Sequence, residues 1–486
     1  MSERVLGISN VCTADGHIVG MSRPAPARVL AVVGTLGLAG VLVSVFLLFA
    51  GAASAPSVYV PGRSGGWPAW MAGPLRNLGF SLSGSSFQTL TLLMAGSYLA
   101  VLLTTRALPM WTLALTILAA HLIVLLGPPL ISQDVFGYLG FARLGALHGL
   151  DPYTNFPVRI AGDPVYPFLG WPYQHSPYGP LFTLGSYATA PLGMAGGLWA
   201  LKAVSVLSSL GAVALVGRAA ARMGHSSRWA VAFLGLNPVL LELAVGGAHN
   251  DTLVMLLLSL ALALTATTAS NPRAAGSLVA AVAIKASAGL VLPYLILAPP
   301  RTAGRLRMLR ATLLSLAVLA AIAAIGFGAH AFGFLSALHE QQQLVAVHSI
   351  PAETARLVGL TGTPTWWRNV FLGGFLAVLL FTLWRTWRGA EWRAQAGWAT
   401  LALLLSTAWL LPWYAIWALP LAAVSANRRL RGATLVFCAY ALLIHLPLAK
   451  PLLSPPRQKH AAPVRIHRIP AVPGHSGLSG LNPTKP

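Results

Sequence analysis

Charged residues are scarce in this sequence. Asp, Glu, Lys and Arg together make up 9% of the 486 residues, and hydrophobic residues make up 56%. Ordinary soluble proteins carry about 25% charged and roughly 45 to 50% apolar residues. So low a charged fraction excludes an ordinary soluble fold. Hydrophobic runs of about 20 residues, the length that crosses a bilayer, recur along the chain, and they predict an all-α integral membrane protein.

Cysteine and nucleotide-binding motifs are also lacking. Two cysteines, Cys12 and Cys438, lie near opposite ends and offer neither a disulfide framework nor a metal-binding spacing. No glycine-rich nucleotide loop and no serine nucleophile elbow is present. These absences argue against redox chemistry and against a nucleotide-using enzyme. The net charge of +22 comes from arginines between hydrophobic runs, as topology signals do, so we expect no nucleic-acid partner.

Hydrophobic runs divide the chain into membrane spans. The first run is followed by GAASAP, which imitates a signal-peptidase site, but it exceeds the roughly 7 to 15 residues of a signal core, and we interpret it as a retained helix. Residues 274–298 hold Lys285 in the middle and Pro293 further on, and they predict two half-length helices that return to the same face. The other spans are predicted at 29–50, 86–105, 108–127, 197–217, 229–246, 252–269, 311–330, 369–386, 395–411, 413–426 and 432–449.

The arginines predict which way the chain crosses the membrane. With the hairpin in place, most arginines fall in loops on the N-terminal side, which the positive-inside rule assigns to the cytoplasm. The predicted domains are a cytoplasmic segment at 1–28, a transmembrane domain at 29–450 and a disordered, basic, proline-rich tail at 451–486. Two long loops, 128–194 and 331–367, lie outside. The tail falls outside as well, against its charge, and its sidedness stays open.

The acidic residues have an uneven distribution. Most of the ten in the chain fall in the predicted outer loops and turns or near the outer end of a span. Acidic residues contribute little to membrane orientation, so this asymmetry predicts a polar cavity at the outer face. These residues are Asp134, Asp151, Asp163, Glu242, Asp251, Glu340 and Glu353.

One carboxylate stands where a hydrophobic run ends. In ISQDVFGYLGFARLGALHGLDPY, helical spacing puts Asp134 and Tyr138 on one face, with Arg143 further along. The stretch predicts an amphipathic helix that ends at the turn GLDPY. A carboxylate beside a cavity can act as a general base toward a hydroxyl. An N-cap role for Asp134 is equally supported by the residues alone, because Asp is a preferred N-cap type.

Histidine and aromatic residues mark further candidate positions. GWPYQHSPYGPL contains His175, a candidate donor to a phosphate or sugar hydroxyl. Tyr178 in the same stretch, and the tryptophans of residues 407–420, are more typical of an aromatic belt at the membrane interface. Lys285 at the hairpin apex is placed to meet an anionic headgroup; the alternative is a lysine that snorkels to the interface.

A second acidic segment lies in NPVLLELAVGGAHNDTLVMLL. Glu242 lies inside a span, and ionisable groups there are functional candidates by default. His249, Asn250 and Asp251 follow at the outer turn. Asp251 is a strong candidate N-cap of the next helix, and for the three residues together a role in lining the site is favoured.

Four stretches in order resemble a known family. SQDVFGYLGFARLGALHGLDPY, HSPYGPL, LNPVLLELAVGGAHNDTL and WLLPWY look like the actinobacterial polyprenyl-phosphate-mannose-dependent α-(1→6)-mannosyltransferases of the GT-C superfamily, across roughly residues 30–450. The resemblance implies a GT-C fold with about 11 to 13 transmembrane helices. It implies transfer of mannose from polyprenyl-phosphate-mannose to a lipid-anchored mannan acceptor with inversion, at the outer face of the plasma membrane.

The resemblance also implies a role for one residue, Asp134, and the chemistry of the residues gives the candidate contacts. Asp134 is the general base, and neither a cofactor nor a metal is expected. Two alternatives stay open: a GT-C transferase that uses another polyprenyl-phosphate sugar, and a transporter or lipid flippase, although no repeat of fixed period supports the latter. Donor contacts are expected at Tyr138, Arg143, His175, Tyr178 and Lys285, and acceptor or cavity-lining contacts at Glu242, His249, Asn250 and Asp251.

Overall fold

The computed structural model describes residues 27–54, 60 and 68–446. No β-strand occurs in that part of the chain, in agreement with the predicted all-α class. The predicted tail and most of the predicted N-terminal segment lie outside the described residues. The helices are α1 (Ala27–Ser54), α2 (Ala69–Ala72), α3 (Gly84–Thr104), α4 (Met110–Leu126), α5 (Asp134–Ala146), α6 (Pro180–Ser186), α7 (Gly193–Arg222), α8 (Ser227–Gly235), α9 (Asp251–Leu264), α10 (Pro272–Val282), α11 (Leu292–Leu297), α12 (Thr302–Phe327), α13 (Phe334–Gln342), α14 (Ile350–Leu357), α15 (Thr365–Trp387), α16 (Trp392–Ser406), α17 (Leu419–Val424) and α18 (Arg428–Leu443).

Long apolar helices identify this chain as a membrane protein. Within the described residues, 5 helical segments are long and apolar enough to cross a bilayer, and a bent pair formed by α8 and the π-helical turn Val239–Val245 makes a sixth candidate. Several spans predicted from the sequence are short helices instead. Asp251–Leu264 and Pro412–Val424 are examples. The 5 long segments are Ala27–Ser54, Gly84–Ala107, Pro180–Arg222, Thr302–His330 and Thr365–Trp387.

Helix α1 is integrated into the bundle. It packs against α3 and α4 through a buried face that includes Val41, Leu48 and Phe49. At Gly37 a Cβ atom would lie 2.9 Å from the backbone oxygen of Ser97 in α3. The missing side chain therefore lets the two helix backbones approach closely, as small residues do in membrane helix pairs.

Arginine side chains gather at one end of the bundle. Each donates hydrogen bonds to backbone oxygens of another helix end, where carbonyl groups lack helical partners. Three arginines that the sequence places on the N-terminal side of the membrane thus bond helix ends that it places on the same side. The pairs are Arg228 with Leu108, Arg305 with Trp387, and Arg393 with Thr265.

The segment around Lys285 is the broken hairpin that the sequence predicts. Helix α10 ends at Val282, and the backbone of Lys285 is extended. At the far end of the hairpin, Lys285 contacts Asp251 at the start of α9. At the near end, a Cβ on Gly304 would lie 3.7 Å from the Cβ of Ser270. The chain therefore enters and leaves the hairpin at the same end, with Lys285 at its apex.

Candidate functional site

A cavity of about 1500 Å³ lies among the predicted outer loops and the hairpin apex. Its walls come from the start of α5, the loop around His175, the apex residue Lys285, helices α13 and α15, and the stretch 403–417. Among the described residues that line it, Asp134 is the one carboxylate, and Lys285 and Arg368 are the two permanent cations. The cavity therefore pairs a single candidate base with positive charge.

Asp134 is the first residue of α5 and does not cap it. The N-cap is Gln133, which makes no side-chain cap hydrogen bond, and the backbone N–H of Asp134 donates to Oγ of Ser132 over 3.1 Å. The carboxylate of Asp134 keeps an exposed fraction of 17% and faces the cavity. Of the two roles that the sequence leaves open for Asp134, the geometry thus favours the free carboxylate over the cap.

His249 contacts Asp134 but does not line the cavity. Its Nδ1 lies 3.3 Å from Oδ2 of Asp134, and the imidazole is fully buried. The ring stacks on the indole of Trp413 with centroids 3.8 Å apart. A contact of 3.3 Å is long for a hydrogen bond, and such bonds in empty sites commonly shorten when substrate binds. The contact places the imidazole where it can orient the Asp134 carboxylate.

The charge state of Asp134 is set by its neighbours. Burial alone would raise the pKa of this carboxyl. Contact with His249, the nearby positive charge of Lys285 and the hydroxyl of Ser132 outweigh burial and lower the pKa below its ordinary value. Asp134 is accordingly ionised at neutral pH, as a general base must be.

Backbone strain flanks the contact between Asp134 and His249. Ile131 and Ala248 adopt positive φ angles of 73° and 55°. Such a conformation is an outlier for a β-branched residue and costs on the order of 1 to 3 kcal/mol unless the surroundings enforce it. A hydrogen bond of 2.9 Å from the N–H of Leu130 to the oxygen of Gly246 ties the two segments together. Holding Asp134 and His249 in contact therefore costs the fold some stability.

Lys285 forms an ion pair behind the cavity wall. Its Nζ lies 2.8 and 2.9 Å from the two carboxylate oxygens of Asp251. The indole N–H of Trp417 donates to the same carboxylate over 2.6 Å, and the ring of Tyr414 lies 4.4 Å from Nζ. Asp251 is fully buried, and Asn250 is the N-cap of α9. The carboxylate of Asp251 therefore orients Lys285, and the capping alternative for Asp251 is not what the structure shows.

The predicted tyrosines and histidine of the first outer loop lie together. Tyr178 and His175 line the cavity. The ring of Tyr138 packs 5.0 Å from that of Tyr178, and its hydroxyl bonds the side-chain oxygen and backbone N–H of Asn250. Tyr138 and Asn250 therefore support the wall from behind. His175 contacts Glu340 of the second outer loop over 2.9 Å, which joins the two outer loops at the mouth.

Two predicted site residues lie elsewhere. Nε of Arg143 donates to Oδ1 of Asp163 over 2.7 Å, and His148 contacts the other carboxylate oxygen. Glu242 is buried in the π-helical turn and accepts hydrogen bonds from the hydroxyl of Thr91. Neither Arg143 nor Glu242 lines the cavity. The geometry gives Arg143 a structural partner instead of a donor contact.

Sequence reasoning missed part of the cavity wall. Trp409, Trp413, Tyr414 and Trp417 line it, whereas the sequence favours an aromatic belt for their stretch. Arg368 in α15 also lines it and was not singled out. The available signal was the density of aromatic residues around Pro412, with Trp409 before it and Trp413, Tyr414 and Trp417 between it and Pro420.

We expect Arg143→Met to destabilise the fold without changing donor affinity. The change leaves the carboxylate of Asp163, with an exposed fraction of 3%, without its guanidinium partner, and breaking a buried pair costs about 3 kcal/mol. Burial would raise the pKa of Asp163, but Arg143 and His148 lower it. Stability from this depressed pKa is present above the unfolded value and lost as pH falls through the folded one. The deficit should therefore shrink below about pH 4.

Unfolding of the purified variant in detergent and its KM for the donor are the measurements. Arg159→Met is the control, because Arg159 is exposed in the same loop, and we expect little change there. Normal stability combined with a raised donor KM would instead support the predicted donor contact of Arg143.

No metal-binding cluster is visible in the part of the chain that the structure describes. Groups of three or more His, Cys, Asp or Glu side chains suited to hold a metal ion do not occur among the described residues. The free thiol of Cys438 is buried.

Comparison with known proteins gives consistent results. The family described as alpha-(1->6)-mannopyranosyltransferase, N-terminal domain, matches residues 31–301, and the MptB C-terminal domain matches residues 357–462. A protein of Mycobacterium tuberculosis named alpha-(1->6)-mannopyranosyltransferase A is 29% identical over 344 residues, which cover 63% of this chain and 64% of that protein.

Two relatives from Corynebacterium glutamicum match over shorter stretches. Alpha-(1->6)-mannopyranosyltransferase B is 30% identical over 30% of this chain and 25% of its own length, and alpha-(1->6)-mannopyranosyltransferase A is 28% identical over 37% of each. Each match spans less than two thirds of the relative. No solved structure is significantly similar. Because the first match covers more than half of the sequence and contains Asp134, His249 and Lys285, the chain belongs to the alpha-(1->6)-mannopyranosyltransferase family.

Proposed function

We propose that this protein is a membrane mannosyltransferase that moves mannose from polyprenyl-phosphate-mannose to a lipid-anchored mannan acceptor, forming an α-(1→6) linkage with inversion. The observation that carries the proposal is that Asp134 is the one carboxylate among the described residues lining the cavity. The family and the names of the relatives support the sugar and the linkage.

In this mechanism Asp134 acts on the acceptor. Its carboxylate takes the proton of the attacking hydroxyl, while the hydroxyl oxygen forms a bond to C1 of mannose. The bond from C1 to the phosphate oxygen breaks on the opposite face, and the electron pair leaves with the polyprenyl phosphate. A β-linked donor then gives an α-linked product. Asp134 loses its proton to water through the open cavity, and His249 keeps the carboxylate in place.

The leaving phosphate needs positive charge rather than an acid, because it departs as an anion. Lys285 points its ammonium group at the cavity wall while Asp251 orients it. Arg368 bonds the backbone oxygen of Gln342 and the hydroxyl of Thr365, and forms no ion pair with a carboxylate of the described residues. Leu372, one helical turn after Arg368 in α15, also lines the cavity. Its apolar side chain suits the lipid part of the donor.

The proposal includes a membrane topology. We infer a GT-C fold with about 11 to 13 crossings, once short and broken helices are counted as spans. The end of the bundle where arginines gather faces the cytoplasm, and the cavity faces outward at the plasma membrane. Mannose enters already activated by its phosphate, so transfer should need neither a nucleotide nor a metal.

A transfer assay tests the proposal. Membranes or purified protein receive radiolabelled polyprenyl-phosphate-mannose and an α-mannoside acceptor, and the product linkage is read by NMR. We expect an α-(1→6) product, formed equally with and without EDTA. Parallel reactions contain polyprenyl-phosphate-glucose and polyprenyl-phosphate-arabinose. Use of one of these donors alone would correct the sugar, and no transfer from any of them would overturn the enzyme assignment in favour of a transporter.

A further inference from the structure

We propose that the mouth of the cavity is a binding site for the acceptor glycan, with Trp171 and Trp409 as the platform for a sugar beyond the one that reacts. The inference rests on the proposed function and names where the acceptor lies. Trp171 and Trp409 both line the cavity. Their rings meet edge to face, 5.6 Å apart at 78°.

The size of the cavity calls for more than one ligand. Sites for a single small molecule are about 300 to 1,000 Å³, whereas this cavity measures about 1500 Å³. A transferase must hold donor and acceptor at once. Space beyond the donor head is therefore space for an acceptor chain.

The segment that carries Trp171 contacts the segment that carries the base. A Cβ on Gly170, its neighbour, would lie 2.8 Å from Oε1 of Gln133, and Gln133 precedes Asp134. The side chain of Trp171 keeps an exposed fraction of 45%. An exposed indole at this position can offer a ring face to a ligand that enters from water. Trp171 is one residue from Gly170, which contacts the segment of Asp134.

Trp409 is joined to the base from the other side. It lies four positions before Trp413, whose ring stacks on His249, and His249 contacts Asp134. The two tryptophans thus sit on the two segments that hold Asp134 in place. A sugar packed on them would share one cavity with the Asp134 carboxylate.

Side-chain amides surround the platform. Gln133, Gln174 and Gln341 line the same cavity, and an amide both donates and accepts hydrogen bonds, as sugar hydroxyls require. The second outer loop is tied to this wall, because the N–H of Ala346 donates to the oxygen of Ala408 over 2.8 Å. Apolar C–H faces of a hexose suit indole rings, so rings and amides together suit a neutral glycan.

The competing occupant of this part of the cavity is the donor. Its lipid part suits the side of the cavity that Leu372 lines, and its phosphate needs cations, which are Lys285 at the hairpin apex and Arg368 in α15. Trp171 and the glutamines belong to the outer loops and carry no charge. A hydrophilic glycan that arrives from the aqueous side meets this wall first.

The test compares acceptors of different length. In the wild type, KM should fall from α-mannose monosaccharide to α-(1→6)-mannotriose, because the trisaccharide reaches the platform. Trp171→Ala should raise the KM for mannotriose about tenfold and abolish the length dependence, with an unchanged KM for the donor. Binding of mannotriose to the inactive Asp134→Asn protein, measured by calorimetry without donor, should weaken by the same factor when Trp171→Ala is added.

Trp366→Ala is the matched control. Trp366 has a similar exposed fraction, 55%, at the start of α15, but it does not line the cavity, and we expect it to leave the length dependence intact. A retained length dependence in Trp171→Ala, or a raised donor KM in its place, would overturn the acceptor site while leaving the proposed function standing. Absence of transfer by the wild type in every donor assay is the separate result that removes the proposed function.

Discussion

Asp134→Asn should lower the turnover of mannosyl transfer by about 10³-fold, within the range of general-base contributions. The amide keeps the size of the side chain and can stay beside His249, so the cavity should be unchanged. It cannot accept a proton from the acceptor hydroxyl. Because Asp134 acts when the new bond forms, the loss should appear in kcat, while the KM for the lipid donor changes little.

The pH dependence of the wild type gives an independent check on Asp134. The contacts with His249 and Lys285 hold the pKa of this carboxyl below its ordinary value in spite of burial. An aspartate with an ordinary pKa titrates at about pH 3.9, and Asp134 should titrate at a lower pH. The carboxylate therefore stays ionised from pH 7 down to about pH 5, and transfer should show no loss from Asp134 in that interval.

Glu391→Gln serves as the control for charge removal. Glu391 accepts a hydrogen bond from the hydroxyl of Ser425 and does not line the cavity, and the same exchange of carboxylate for amide should leave transfer near the wild-type rate. Both proteins are compared at equal amounts of folded, membrane-inserted material. Full activity of Asp134→Asn would remove this residue as the base and direct attention to water or phosphate as proton acceptor.

The sequence was sufficient where a feature depends on local pattern. Helix α5 and the break at Lys285 follow from periodicity and proline, and the structure agrees with both. The position of Asp134 at the edge of a hydrophobic run was also visible. These features depend on neighbouring residues in the sequence and not on distant contacts.

Long-range partners could not be found in this way. Arg143 has its carboxylate partner 20 positions away, and Lys285 pairs with Asp251 34 positions away. The sequence shows that these charges exist but not which of them meet. The positive φ of Ile131 and Ala248 is likewise imposed by packing, since neither residue type favours that conformation. Trp413 became recognisable as a site residue only through its stacking on His249.

Lys285→Met should lower both stability and transfer, because it breaks the pair with Asp251 and removes the ammonium group that meets the leaving phosphate. It leaves the fully buried carboxylate of Asp251 without its cation, and breaking a buried ion pair costs about 3 to 5 kcal/mol. Lys202→Met is the comparison, because Lys202 is more deeply buried than Lys285 (1% exposed, against 16% for the Lys285 side chain) but bonds backbone oxygens, those of Val124 and Pro128. Removal of the Lys202 ammonium group leaves no buried carboxylate without its cation. We expect a smaller loss of stability, about 1 to 3 kcal/mol.

The double variant Lys285→Met with Asp251→Asn separates the structural role of the pair from its role in transfer. Both charges are gone, and the amide can still accept the hydrogen bond from the indole N–H of Trp417. Stability should therefore return close to that of the wild type, because removal of both partners avoids the penalty of a lone buried charge. Transfer should stay lost, since the leaving phosphate has no ammonium group to meet. Unfolding in detergent and transfer rates per folded protein are the two measurements. Recovery of both together would mean that Lys285 serves only to neutralise Asp251, and the positive charge for the phosphate would then have to come from Arg368.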